Sequence, residues 1–118
     1  MLRTFALHDA ALGGKRVGTF RYSTADMQFS LTIFADIPLI DLPLSLDGFA
    51  KHGKYELGHD DTLDWVRERI CPPGRHNIDS ILHDLGLAEY DEMALLSYTN
   101  GRCDKDELYL VEEGRDNG

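Results

Sequence analysis

Residues 60–101 read DDTLDWVRERICPPGRHNIDSILHDLGLAEYDEMALLSYTNG, and the helical periods in this stretch decide the fold class. Asp60 or Asp61 can cap a first helix, and Asp64 falls in its opening turn, where a carboxylate complements the helix dipole. Leu63, Val66 and Ile70 then share one face, with Arg67, Glu68 and Arg69 directed mostly to water, until Pro72-Pro73-Gly74 ends the segment. Ile78, Ile81, Leu82 and Leu85 recur at i, i+3, i+4 and i+7, and Gly86 supplies the left-handed residue that stops a second helix. Asp91 caps a third, whose apolar surface comes from Met93, Leu95, Leu96 and Tyr98 and which closes at Gly101.

Upstream the period changes to two. Met27, Phe29, Leu31 and Ile33 alternate with Gln28, Ser30 and Thr32, the clearest strand pattern in the chain. Lys15–Tyr22 alternates as well, and the turn-compatible Ser23-Thr24-Ala25-Asp26 predicts an antiparallel hairpin between the two. Leu2–His8 reads as a strand before the Gly13-Gly14 break, and Glu107–Glu112 as a final strand before a polar tail, 113–118, expected to fray. Between them, Pro38 and Pro43 forbid a central strand, Leu42–Leu46 is expected to lie as a short extended piece on the hairpin, and Gly48, Gly53 and Gly58 space an exposed loop. The expected fold is α+β: a small antiparallel sheet of three amino-terminal strands plus a carboxy-terminal strand, with about three helices packed on one face. No internal repeat or linker divides residues 1–118, which read as one domain: 1–59 mainly strand and loop, 60–101 helical, 107–112 the last strand.

A chain of 118 residues buries roughly two thirds of its unfolded surface, enough for one core. Its 21 acidic residues against 12 basic ones give a net charge of −9, which repels nucleic acid and anionic membranes at long range and suits a basic partner. The longest apolar-rich run, 29–46, is interrupted by Asp36, Pro38, Asp41 and Pro43 and is not a membrane span. The first residues lack the apolar core of a signal peptide, so a cytoplasmic protein with reduced thiols is expected.

Tests for chemistry in the sequence return little. His76, Asp79 and His83 have helical spacing and metal-compatible side chains, but form no established metal motif, and a solvated polar face explains them. Cys71 and Cys103 lack the CxxC spacing and the electropositive setting of a reactive thiol and read as structural. Gly13-Gly14-Lys15-Arg16 lacks the spacing of a phosphate-binding loop. No catalytic residue, metal or cofactor is therefore expected, which leaves binding as the mode of action. Partner-binding candidates are Trp65 with Arg69 four residues on, Phe49 and Tyr90, since interface anchors are enriched in aromatics and arginine. Trp65 serves equally well as a core residue against the sheet, and Phe49 and Tyr90 share that ambiguity.

Read in order, several segments resemble the amino-terminal subdomain of HipA-type toxin kinases. Gly14–Phe20 resembles the family's early G-x-x-V-G-T-L strand, Leu42–Leu46 its LSLPL segment, and Trp65–Gly74 its F-x-x-L-L-P-E-G element. Asn77–Gly86 is similar to the helix ending in L-G-L, and Met93–Leu96 with Gly101-Arg102-Cys103 to F-A-L-L-x-x-x-G-R-D-C. The similarity is colinear across about residues 13–112, with the proline-rich segment shortened and no counterpart of the kinase body. The resemblance implies a freestanding accessory domain that binds and regulates a HipA-like Ser/Thr kinase, a helix-turn-helix repressor, or both, in a toxin–antitoxin system. The alternative is a small acidic inhibitor from a phage or mobile element, of the anti-CRISPR or anti-restriction kind, presenting carboxylates to a basic nucleic-acid-binding effector.

Overall fold

The alternation at residues 27–34 becomes one arm of a hairpin, with β2 (Lys15–Ser23) paired antiparallel to β3 (Gln28–Ile33) in a computed structural model that describes residues 2–70, 78–84, 86, 91–103 and 106–116. Phe20 stands opposite Leu31 and Tyr22 opposite Phe29, which puts the large side chains of both arms on one face. Met27 does not join them: it sits in the turn at φ 55° and is exposed. β1 (Leu2–Asp9) flanks the hairpin on the far side of β2, and β5 (Leu108–Asp116) adds to β1. A two-residue strand β4 (Glu56–Leu57) pairs with β3, so the expected four strands are five, in the order β4-β3-β2-β1-β5 and antiparallel throughout.

Two cross-strand rows define the packed face. Leu57, Leu31, Phe20 and Phe5 face one another across four strands, and Ile33, Gly18, Leu7 and Leu110 form the next row. Phe5 and Phe20 meet edge to face at 5.7 Å, a geometry that adds to the burial of two large rings. Gly18 has no side chain because there is no room for one: a Cβ there would fall 2.3 Å from the Thr32 carbonyl oxygen. Next to it the β1–β2 register shifts between Leu7 and His8, leaving Val17 bulged and buried. The opposite face is polar, with Arg21 hydrogen-bonded to Thr32, His8 stacked on Tyr109, and Arg102 lying 4.7 Å from the Tyr109 ring. An antiparallel sheet tolerates such one-sided hydration.

The segment between the hairpin and β4 departs from expectation. Leu42–Leu46 is not extended; a 3-10 turn at Leu39–Asp41 leads into α1 (Leu44–Ala50), which takes up 48–50 of the expected loop, while 51–55 have no helix or strand and 56–57 form β4. Pro43 caps it in an extended conformation, its carbonyl accepting from Leu46 and Asp47. The inward residues are Leu42, Leu46 and Ala50, a four-residue spacing that helix packing selects.

α2 (His59–Arg67) starts at least two residues early: Gly58, without a side-chain cap, stands where Asp60 or Asp61 is expected, both of which fall in the first turn. The helix buries Thr62, Trp65 and Val66 rather than Leu63, which is half-buried. Thr62 can be enclosed because its hydroxyl donates to the Leu57 carbonyl at 3.3 Å. At the start of the helix, His59 Nδ1 accepts the Phe29 backbone N–H at 3.1 Å and the imidazole stacks on the Phe29 ring. α3 (Ile78–Asp84) stops before Gly86, whose φ is 72° and whose N–H donates to the His83 carbonyl. In α4 (Glu92–Tyr98), Asp91 accepts the Ala94 N–H as expected and Met93, Leu95 and Leu96 are buried, but Tyr98 is exposed. Helices and sheet share one hydrophobic cluster, joined through contacts such as Phe20 to Trp65 at 6.0 Å. β5 runs to Asp116, well into the expected tail, because it follows β1 along its length and Arg3 grips Glu112 through two hydrogen bonds of 2.9 and 3.2 Å. Cys71, His76 and Tyr90 lie outside the described residues.

Gly18→Ala forces the Cβ onto the Thr32 carbonyl. It is expected to lower unfolding free energy by about 1–3 kcal/mol, the range for overpacking a filled site, measured by urea denaturation.

Candidate functional groove

Four buried polar side chains each have structural work within the fold. Asp9 accepts the Ala11 N–H and caps a 3-10 turn, Thr19 accepts from Arg16, Thr62 is tied to Leu57, and Arg69 is held by an ion pair. Among the described residues no three His, Cys, Asp or Glu side chains are placed to hold a metal ion. Cys103 is half-buried with its sulfur 3.9 Å from Asp106 Oδ1, and His83 is exposed on α3. Nor is any described helix long and apolar enough to cross a membrane.

Arg69 corrects the expectation that it faces water. Its side chain is 2% exposed and that of Asp106 is 6%. Nη1 and Nη2 donate to the two Asp106 oxygens at 2.7 and 2.6 Å, and Nε donates to the Gly101 carbonyl at 2.8 Å. The guanidinium also lies 4.6 Å from the centre of the Trp65 ring, a cation–π contact strengthened by desolvation. Asp106 completes the network by accepting from the Leu108 N–H and the Ser45 hydroxyl. Burial pushes the Asp106 carboxyl up, but Arg69, Leu108 and Ser45 outweigh that and hold it below its ordinary value of 3.8. These contacts account for Arg69 within the fold, without a partner.

On the outer side of the same helices lies a groove of about 500 Å³. α1 contributes Leu44, Gly48 and Phe49 to it, the following connection His52 and Lys54, and α2 with its last turn Asp64, Trp65 and Glu68. Of the four candidate partner residues, the groove brings together Trp65 and Phe49; Arg69 stands behind Trp65, and Tyr90 lies outside the described residues. Trp65 is 2% exposed, so it forms floor rather than rim, and Phe49 is half-buried. The Trp65 Nε1–H is buried with no acceptor among the described residues. A Cβ on Gly48 would meet nothing within 4 Å, so the groove is open where a side chain would otherwise stand.

The sequence reading missed a run of exposed aliphatic residues that includes the two most exposed large hydrophobics among the described residues, Ile40 and Leu44. Ile40 is 93% exposed, Leu44 88% and Leu39 42%, all within the six residues that enter α1. Their signal was present: in a helical reading Leu42, Leu46 and Ala50 take the inward positions, leaving Leu44 outside. The charges beside the groove are unevenly matched. Lys51 pairs with Asp47 at 3.4 Å and Lys54 with Asp61 at 2.5 Å, whereas Asp64 and Glu68 are exposed and form no ion pair among the described residues. A smaller recess of about 250 Å³ between the sheet and α4 is rimmed by the Arg3–Glu112 pair.

Removing one partner of a buried ion pair leaves the other uncompensated, so Arg69→Met is expected to destabilise the fold by about 3–5 kcal/mol. Arg69→Met with Asp106→Leu should lose less than Arg69→Met alone. Since the folded Asp106 value lies below the unfolded one, its contribution is complete above pH 3.8 and is lost as pH falls through the depressed folded value. The melting-temperature gap between the parent chain and Asp106→Asn is therefore widest at neutral pH and closes below 3.8, as followed by circular dichroism.

Compared with protein-family models, with curated proteins and with solved structures, the chain finds no match.

Proposed function

We propose that this chain is a non-catalytic protein-interaction module of the cytoplasm, docking a partner protein over the α1–α2 groove and the apolar residues beside it. The carrying observation is the exposure of Ile40, Leu44 and Leu39. Three aliphatic side chains left in water within six residues, one of them lining the groove, support an interaction site over ordinary surface. Further support comes from Asp9, Thr19, Thr62 and Arg69, buried polar side chains that each have a structural role.

The proposed partner is a HipA-like Ser/Thr kinase of a toxin–antitoxin system, which the chain would regulate by binding. Four of the lining residues, Leu44, Ser45, Trp65 and Glu68, fall within two segments that carry the resemblance to the HipA amino-terminal subdomain, 42–46 and 65–74. Packed against a kinase body, such a surface would bury Leu44 and Ile40; encoded separately, it would bind in trans against the entropy of association. An acidic mimic of nucleic acid has less support, because Arg3, Arg16, Lys51, Lys54 and Arg67 all pair with carboxylates and break up the negative surface.

Affinity capture from the native host tests this reading. The parent chain is expected to retain a Ser/Thr kinase, and the variant Ile40→Asp/Leu44→Asp to lose it. Both positions are exposed, so the variant should keep its stability within about 0.5 kcal/mol. Undiminished capture by the folded variant would place the interface elsewhere.

A further inference from the structure

We infer that the occupant of the α1–α2 groove is a basic amphipathic helix presented by the partner; this rests on the interaction reading above and names the chemistry of its ligand. The first observation is the glycine. Gly48 lies inside α1, where glycine destabilises a helix by about 0.5–1 kcal/mol relative to alanine. Nothing in the fold needs it there, since a Cβ would meet no atom within 4 Å. The missing side chain keeps open the space that an incoming group would fill.

The second observation is chemical complementarity. Leu44 and Phe49 offer apolar contact on one wall, and Asp64 and Glu68 stand on the other. These carboxylates are four residues apart, one helical turn, and neighbours at that spacing sit roughly 5–6 Å apart. Lysine or arginine residues one turn apart on a partner helix match that interval, while its leucine face meets Leu44 and Phe49. The nearby cations do not oppose this, because Lys51 and Lys54 are already paired with Asp47 and Asp61. The net charge of −9 attracts a basic helix from a distance, and helix-in-groove docking is an established mode of recognition.

Trp65 is the chain's single tryptophan and lines this groove, so its emission reports occupancy directly. The probes are a synthetic Leu/Lys amphipathic helix of about four turns (roughly 14 residues), a scrambled peptide of the same composition, and a Leu/Glu version of the same pattern. The Leu/Lys helix should shift Trp65 emission saturably and bind at least about tenfold more tightly than either control, a difference of about 1.4 kcal/mol. Gly48→Phe, which fills the groove without changing charge, should weaken it by a similar factor. Asp64→Lys/Glu68→Lys should reverse the preference toward the Leu/Glu helix.

Equal binding of the scrambled peptide, or an unchanged affinity in folded Gly48→Phe, would reduce the effect to diffuse charge attraction and overturn the inference. A dimer of the parent chain that Gly48→Phe dissolves in sedimentation would instead make a second copy the occupant, and would equally overturn it. If host capture depends on Ile40 and Leu44 while the Leu/Lys helix fails to bind, the docking surface stands and the basic helix falls. If capture is independent of those residues as well, the interaction reading itself has failed.

Discussion

The pair between Arg69 and Asp106 is the constraint on which the remainder of the structure depends. Five parts of the chain meet there: Ser45 of α1, Trp65 of α2, Arg69 just beyond it, Gly101 after α4, and Leu108 at the start of β5. Two of these contacts are local in sequence, Arg69 with Trp65 and Leu108 with Asp106; those of Ser45 with Asp106 and of Arg69 with Gly101 and Asp106 span 32 to 61 residues. A charge pair buried this deeply is weak as a source of net stability, because desolvation offsets much of its attraction. Its contribution is to specificity, since any other arrangement of these helices strands a guanidinium or a carboxylate away from water. Glycine at 101 belongs to the same constraint: with φ at 75° and a Cβ position only 2.8 Å from the Leu110 side chain, a larger residue would disturb the carbonyl that Arg69 Nε uses.

The same network sets the geometry of the groove. Ser45 faces Asp106 from the helix that also carries Leu44, Gly48 and Phe49, and Arg69 lies against the ring of the tryptophan that forms the floor. A groove between two short helices would close or widen if either could slide. Here both are tied to one carboxylate and one guanidinium. A preformed recognition surface loses little conformational entropy on binding, and this arrangement provides one without lengthening either helix.

Much of the sheet was legible because alternation reports directly on a half-buried strand. Phe29, Leu31 and Ile33 could be placed by period alone, and Asp91 and Gly86 by the backbone groups that a helix end leaves unsatisfied. The segment 42–50 was not legible for a physical reason. Over five residues, Leu42, Leu44 and Leu46 satisfy a period of two while Leu42 and Leu46 also satisfy a helical repeat, and only burial chooses between them. Arg69 was misread because a charged residue near a helix end is ordinarily solvated; its partner lies 37 residues away and no local pattern announces it. The groove was half legible: Trp65 and Phe49 stood out by type, whereas the contribution of Gly48 consists of an absent side chain and depends on where α2 lies.

The placement of β1 between β2 and β5 has a consequence for biosynthesis. Arg3 and Glu112 are 109 residues apart in the chain yet form a fork across adjacent strands. At ribosomal rates of about 5–20 residues per second, β1 waits roughly 5–20 s for the strand that covers its outer edge. The β1–β2–β3 meander can assemble in that interval, but it carries an open row of backbone donors and acceptors along β1. Nascent chains of this protein are therefore most vulnerable to edge-to-edge misassociation during translation, and a chaperone that shields strand edges would matter more to its yield than one that speeds helix docking.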